Sequence, residues 1–463
     1  AAGDARRAAR VALGAAEEAF DGLAFERAAE LYEVCLELAE DSSVVEWSLL
    51  ERIGDSHAYA GRGPAAARAY LEATRVARPA QAVHLERKAA EQLLGAGLFE
   101  EGIASARRVV EAAGLSWPKS RRAAIRAAGL ARLQSRMRGL AFEARADVPP
   151  ETRLQLDACW TVATGLALFD LPRAAYFVER MLQLAQAAGD PERFVKALAA
   201  EALLAGSEGS AGGHARRLGA ALREAAEQVG SPHAQALVQF STGLRRYLRG
   251  RWRDAEAYLD AALALFTEEC KGVNWEIHTT RLMRLEALSW QGRLREIPEA
   301  LASARAVAEE TGNLYALTTL RVCPRLAVLH LASDRPDRLE REVRRALADW
   351  PDRGFHVARL YALEALAMAE LYRGEAEAAH ARVEAAWAAL ERSGLFRVLV
   401  IAFEAWSLRA RAALAAGASD RGARRILATC LRALRGLDVP AARAEVRLLR
   451  AQRSALRGRR AEA

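Results

Sequence analysis

Apolar residues recur at helical spacing along almost the whole of the 463-residue chain. They are separated mostly by intervals of three and four residues, and the alternation of apolar and polar residues that is typical of half-buried strands is absent. Turn residues, chiefly Gly, Pro and Asp, interrupt this pattern about every 15–20 residues. The sequence therefore predicts an all-α protein built from many short helices.

A turn-and-helix pattern repeats along the chain. In each copy a helix follows a turn and carries a small residue where a neighbouring helix would approach closely. The clearest copies place Ala28, Ala66, Gly102 and Ala255 in this slot. Weaker copies place six other residues there: Ala174, Arg216, Ile297, Leu339, Ala379 and Gly422. The first two steps are 38 and 36 residues, and those after Ala255 are 42, 42, 40 and 43, a spacing typical of an α-solenoid of helix pairs.

The first helix of a pair also carries a pattern. Gly54 and Tyr59 precede the turn at Gly61, and residues 242–250 repeat the arrangement. A small residue, a later aromatic residue and a turn glycine resemble the tetratricopeptide (TPR) repeat. We therefore expect a right-handed α-solenoid of about ten TPR-like antiparallel helix pairs, with one inserted helix and a C-terminal capping helix.

One irregularity divides the array. The interval from Gly102 to Ala174 is 72 residues, too long for one helix pair, and it contains Trp117-Pro118 and the Val148-Pro149-Pro150 break. The expected divisions are three helix pairs over 1–114, an inserted basic helix and proline-rich break over 115–150, about seven pairs over 151–437, and a basic capping helix and tail over 438–463. Because the first residue is not Met, we also expect the chain to be a fragment of a longer protein.

The net charge of +8 is unevenly distributed. Residues 107–145 carry +8 and residues 421–463 carry +9, so the remaining 381 residues sum to −9. These basic segments have four candidate roles: pairing with neighbouring carboxylates, docking to another domain, and binding to nucleic acid or to membranes. Neither segment interleaves the aromatic residues that stack on bases, which disfavours nucleic acid. The candidate docking arginines are Arg121, Arg122, Arg126, Arg132, Arg136, Arg138, Arg450, Arg453, Arg457, Arg459 and Arg460.

A second candidate surface comes from the register of the repeats. Aligning the first three pairs on their small-residue slots puts Glu17, Asp55 and Glu91 at the same place in the first helix, and Glu286 occupies it in a later unit. In TPR geometry this place faces the concave groove, where a ladder of carboxylates would hold a basic peptide. The alternative is an ordinary solvated helix face.

The sequence contains no pattern of residues that is typical of a catalytic site or a metal site. The five cysteines are widely spaced and the eight histidines are isolated, which excludes a zinc-site pattern and favours buried thiols in a reducing cytoplasm. Phosphate-binding, kinase and hydrolase motifs are absent. No uncharged apolar run is long enough to cross a membrane. We therefore expect a protein without enzymatic activity, metal or cofactor.

Several blocks between residues 159 and 374 resemble a known family, and the resemblance extends over most of residues 10–420. They are Cys159-Trp160, Gly250-Arg-Trp252, Cys270-Lys-Gly-Val-Asn-Trp275-Glu276, Arg353-Gly-Phe-His356 and Leu371-Tyr-Arg-Gly374. Together they look like the C-terminal TPR-like region of bacterial multidomain Ser/Thr protein kinases that carry an AAA/STAND-type ATPase module. The resemblance implies a regulatory arm that follows kinase and ATPase modules.

The function expected from this resemblance is a non-catalytic interaction and sensor scaffold. Its partner would be a protein or peptide, with the upstream modules of the same parent chain as one candidate, and self-association stays open. Two alternatives are the inducer-sensing domain of a STAND-type transcriptional regulator and a nucleic-acid-binding protein that uses the basic segments.

Overall fold

The computed structural model describes residues 2–38, 43–167, 169–207, 213–348, 350, 355–417 and 421–456. These residues form 23 α-helices and two short 3-10 turns, and no strand occurs among them. The protein is an all-α, TPR-like solenoid, as the sequence predicts.

Six helices form the first three pairs: α1 (Ala2–Asp21), α2 (Phe25–Leu38), α3 (Ser43–Tyr59), α4 (Gly63–Val76), α5 (Pro79–Gly95) and α6 (Phe99–Ala112). Helix α7 (Arg121–Arg138) follows and packs against α9 (Leu171–Ala188) instead of joining a pair with its neighbour in sequence. It is the inserted helix.

Seven further pairs and a final helix complete the array. They are α8 (Pro150–Gly165) with α9, α10 (Pro191–Ser207) with α11 (Gly213–Val229), α12 (Pro232–Leu248) with α13 (Trp252–Glu268), α14 (Asn274–Trp290) with α15 (Ile297–Glu310), α16 (Leu314–Val322) and α17 (Pro324–Ala332) with α18 (Pro336–Ala348), α19 (Val357–Arg373) with α20 (Ala376–Ser393), α21 (Leu399–Ala416) with α22 (Arg421–Arg435), and α23 (Pro440–Leu456). The helix interruption at Pro324 agrees with the loss of a backbone donor there.

Small buried residues let the helices of a pair approach. Ala28, Ala66 and Ala255 are fully buried, and a Cβ at Gly54 would overlap the Tyr70 ring across the second pair. Two of the weaker predicted slots are wrong by one position. Arg216 and Gly422 are exposed, and the preceding Ala215 and the following Ala423 are buried in their place.

The solenoid closes on itself through turns that lie far apart in sequence. The side-chain amide of Asn274 donates a hydrogen bond of 2.8 Å to the Ala58 carbonyl, and the Tyr315 backbone N–H donates one of 3.1 Å to the Ala96 carbonyl. The Phe99 ring lies edge-on to Trp350, with 5.2 Å between the ring centroids. We call these contacts the seam. They hold turns of the second and third pairs against the pairs that follow α7, which we call the second set.

Candidate functional site

An apolar cavity of about 180 Å³ lies among helices that come first in their pairs in the second set. Six of the side chains that line it are Trp160, Leu203, Phe240, Met283, Tyr361 and Val400, from α8, α10, α12, α14, α19 and α21. Their convergence follows from the solenoid, because successive first helices share one inner face. The walls are almost wholly apolar, so the cavity suits an uncharged apolar molecule.

A buried polar cluster adjoins this cavity. Glu286 on α14 is fully buried, and its carboxylate accepts hydrogen bonds from the hydroxyls of Tyr247 and Tyr361, the latter at 3.4 Å. Both tyrosines also line the apolar cavity. Burial and the nearby Glu286 carboxylate raise the pKa of both phenols well above the usual value. The tyrosines therefore stay protonated and serve as hydrogen-bond donors.

A second cavity, of about 320 Å³, opens beside α17, α19 and α21, and we call it the charged cavity. Glu364 and Glu404 line it and are 2% and 4% exposed. The Arg325 guanidinium lies 3.4 Å from Glu404 through Nε, and it also covers the Trp290 ring with its carbon 4.2 Å from the ring centroid. Two buried carboxylates thus share one cation.

Burial dominates the electrostatics of the charged cavity. It raises the pKa of Glu404 to about 8, with a further increase from Glu286 and an opposing effect of Arg325. Burial and then the Glu404 charge raise the pKa of Glu364 well above the ordinary range. Because charged groups in a low-dielectric interior are costly, one cation does not keep both carboxyls ionised at neutral pH.

The outer face of α7 is the third feature. The helix packs on α9 through small residues, and Gln183 of α9 donates a hydrogen bond of 2.9 Å to the Ala131 carbonyl. Its larger apolar residues point outward and are substantially exposed: Ile125, Leu130, Leu133 and Met137, the last at 78%. Exposed arginines border them at positions 122, 126, 136 and 138. We call this set the α7 outer face.

Two of the predicted docking arginines on α7 are turned toward the protein. Arg132 donates to the buried Glu179 carboxylate at 2.8 Å, and Arg121 is half-buried beside Gly394. In the C-terminal segment Arg450 is exposed and Arg453 is half-buried. The remaining three predicted residues, Arg457, Arg459 and Arg460, lie outside the described residues.

The predicted carboxylate ladder lies in several different environments. Glu17 is exposed, whereas Asp55 accepts hydrogen bonds from the Tyr70 hydroxyl at 2.6 Å and from Lys88 at 2.7 Å. Glu91 accepts one from Arg87 at 2.6 Å, and Glu286 is the buried acceptor described above. Most of the ladder is therefore engaged inside the protein, and its role in peptide binding stays a prediction.

Other chemistry is limited within the described parts of the chain. No group of three or more His, Cys, Asp or Glu there is arranged to hold a metal ion. All five cysteines are free, and four of them are buried, as the sequence predicts. None of the described helices combines the length and apolar character needed to cross a bilayer.

Sequence reasoning missed the charged cavity. A signal for it exists: Glu364 and Glu404 are single carboxylates within the apolar runs Tyr-Ala-Leu-Glu-Ala-Leu-Ala and Ile-Ala-Phe-Glu-Ala-Trp. A helix that is apolar on every side is buried, so a lone carboxylate within it must also be buried.

No family model matches the chain, and no curated protein matches it either. Among solved structures it is similar to the crystal structure of the P58(IPK) TPR domain, over 92% of this chain and 98% of that chain, with 14% sequence identity and a TM-score of 0.24. The TPR-like fold rests on the helix pairs and their small-residue slots.

Proposed function

We propose that this chain is a non-catalytic interaction scaffold that docks an acidic amphipathic helix of a partner protein on the α7 outer face. The observation that carries the proposal is the orientation of α7, whose apolar side chains face outward and whose small residues face α9. Exposed apolar stripes of this kind mark interaction sites. Flanking arginines select a partner of opposite charge and speed its association.

The α7 outer face favours a protein partner over other polyanions. It contains no Trp, Tyr or Phe that would stack on bases or lie at a membrane interface. Its arginines and apolar residues lie on the exposed side of one helix, so a partner helix can cover the apolar residues while its carboxylates pair with the arginines. Nucleic acid and anionic lipid are therefore competing outcomes of the test.

The proposed regulatory role rests on the sequence resemblance. Blocks such as Cys270-Lys-Gly-Val-Asn-Trp275-Glu276 support a regulatory arm of a Ser/Thr kinase–ATPase, whose ATPase or kinase module would supply the acidic helix. Unpaired thiols support a reducing cytoplasm as its location. Binding would then regulate the attached module through a difference in affinity between two states of the scaffold.

The test uses a fluorescent acidic helix built from Leu and Glu, with binding followed by anisotropy. Leu133→Glu combined with Met137→Glu should weaken binding about tenfold or more, because both apolar contact and charge attraction are lost. Leu448→Glu is the matched control, since Leu448 is an exposed leucine on the other basic helix, α23. Equal loss in both variants, or tighter binding to DNA or phosphatidylserine vesicles than to the peptide, would contradict the proposal.

A second candidate function is sensing of a small apolar inducer, and the apolar cavity favours it. An engineered cavity of about 150 Å³ in another protein binds benzene, so this cavity is large enough for toluene. Toluene should raise the melting temperature of the chain by mass action. The increase should disappear in Ala200→Leu, which fills the cavity, and an equal increase in both proteins would exclude this site.

A further inference from the structure

The charged cavity holds an unusual number of unpaired polar atoms. Buried atoms without a hydrogen-bond partner there are both carboxylate oxygens of Glu364, Oγ of Ser407 and Nε1 of Trp290. Nε of Arg325 and Oε1 of Glu404 also make no hydrogen bond and form only an ion pair with each other at 3.4 Å. Buried polar groups in proteins are nearly always hydrogen-bonded. A concentration of exceptions around one cavity indicates that a bound molecule pairs them.

The charges define what that molecule must offer. Arg325 is already engaged by the Trp290 face and by Glu404, which leaves Glu364 without a hydrogen-bond donor. The greatest unmet demand is thus for N–H donors that carry positive charge. An anionic ligand would face two buried carboxylates and is disfavoured.

The remaining walls of the charged cavity are apolar. Met368, Leu371, Phe403 and Leu408 line it beside the charged groups. Arg411, also in the lining, pairs with Glu445 of α23 through two hydrogen bonds of 2.7 Å. The volume of about 320 Å³ lies at the lower end of small-molecule sites. The space therefore accommodates a small ligand with a polar end and an apolar body.

We propose that the charged cavity binds a small organic cation, a primary amine on an apolar body. Its ammonium group donates hydrogen bonds to Glu364 and Glu404, and its body contacts Met368, Leu371 and Leu408. This site is separate from partner docking on the α7 outer face and from the apolar cavity, so each can fail without the others.

Binding of the amine should depend on pH. The titratable and charged groups around the two carboxyls are Arg325 of α17, Glu286 of α14, Tyr247 of α12, Tyr361 and Tyr372 of α19, Arg411 of α21 and Cys323. Below pH 8 the Glu404 carboxyl is protonated in the free protein, because burial raises its pKa to about 8. An ammonium group favours the ionised form, so binding should release protons and tighten as the pH rises from 6 to 8.

The experiment is calorimetric titration of the full chain with phenethylamine at pH 6 and pH 8, in buffers of different ionisation enthalpy. Two comparison ligands, 2-phenylethanol and 3-phenylpropionate, keep the body and change the charge. Phenethylamine should bind about tenfold or more tightly than either, with proton release and higher affinity at pH 8. This comparison needs no variant, so it stands even where a substitution impairs folding.

Variants then locate the site. Glu364→Gln and Glu404→Gln should each weaken phenethylamine binding about tenfold or more, because a charge-assisted hydrogen bond is lost. Glu276→Gln is the matched control: Glu276 is equally buried on an inner helix but does not line the charged cavity. Equal affinity for the alcohol and the amine, unchanged affinity in Glu364→Gln, or absence of phenethylamine binding at millimolar concentration would overturn the proposal.

Discussion

At the scale of single residues, small side chains allow the two helices of a pair to pack closely. Buried carboxylates are the polar exceptions in an otherwise apolar interior. The slots at Ala28 and Ala66 could be predicted, because close helix approach requires small residues at a regular spacing. The charged cavity beside Glu364 and Glu404 could not be predicted in the same way. The apolar runs around the two carboxylates indicate their burial, but periodicity does not show which side of an all-apolar helix meets a cavity.

Gly54→Ala should destabilise the protein. The new Cβ would overlap the Tyr70 ring, which is buried and held by its hydrogen bond to Asp55. Overpacking of this kind costs about 1–3 kcal/mol. Gly129 is an exposed position of α7 where a Cβ would meet nothing within 4 Å. Gly129→Ala should therefore raise the free energy of unfolding by about 0.5–1 kcal/mol through helix propensity. Urea unfolding compares the two variants. A higher free energy of unfolding in both would show that the Tyr70 ring moves freely.

Glu276→Gln should change how stability depends on pH. Burial raises the pKa of Glu276 to about 7 in the folded state, from 4.5. The stabilisation by the protonated form is full below pH 4.5 and is lost as the pH rises through 7. The difference in unfolding free energy between the variant and the wild type should therefore shift by about 2–3 kcal/mol in favour of the variant between pH 5 and pH 8. Parallel stability curves over this range would contradict an uncharged, buried Glu276.

At the scale of elements, the number and pairing of the helices were predictable, but the orientation of α7 was not. An amphipathic helix usually turns its larger apolar residues toward the core, yet in α7 Ala131 and Ser135 are the buried residues and Leu133 and Met137 are exposed. Close packing on α9 requires small side chains at the contact. The same requirement explains the small residues of the repeat slots, although α7 lies outside the repeats. The larger apolar residues are then left for a partner.

At the scale of the whole molecule, the seam was beyond sequence reasoning. Asn274 and Ala58 are separated by 216 residues, and their contact depends on the accumulated curvature of many helix pairs. The local periodicity of apolar residues contains no information about this accumulated curvature. The seam joins turns that an open solenoid would leave apart, so the residues in these contacts are covered by the protein itself.

Gly97→Ala should open the seam. Gly97 has a φ of +86°, and a Cβ there would lie 2.8 Å from the Tyr315 nitrogen. Gly114→Ala is the matched control, because its φ is +73° and nothing lies within 4 Å. Both variants carry backbone strain of order 1–2 kcal/mol, but only the first disturbs the seam. Small-angle X-ray scattering should show a larger radius of gyration for Gly97→Ala alone, and equal radii would mean that the closed form does not depend on this contact.

The central claim is that a partner docks on the α7 outer face, and hydrogen–deuterium exchange of the full chain with the acidic helix bound tests it most directly. The expected result is slower exchange across Arg121–Arg138, with little change in Gly213–Val229, a helix elsewhere in the second set. Protection confined to the inner helices that line the apolar cavity, or to Pro440–Leu456, would contradict the claim.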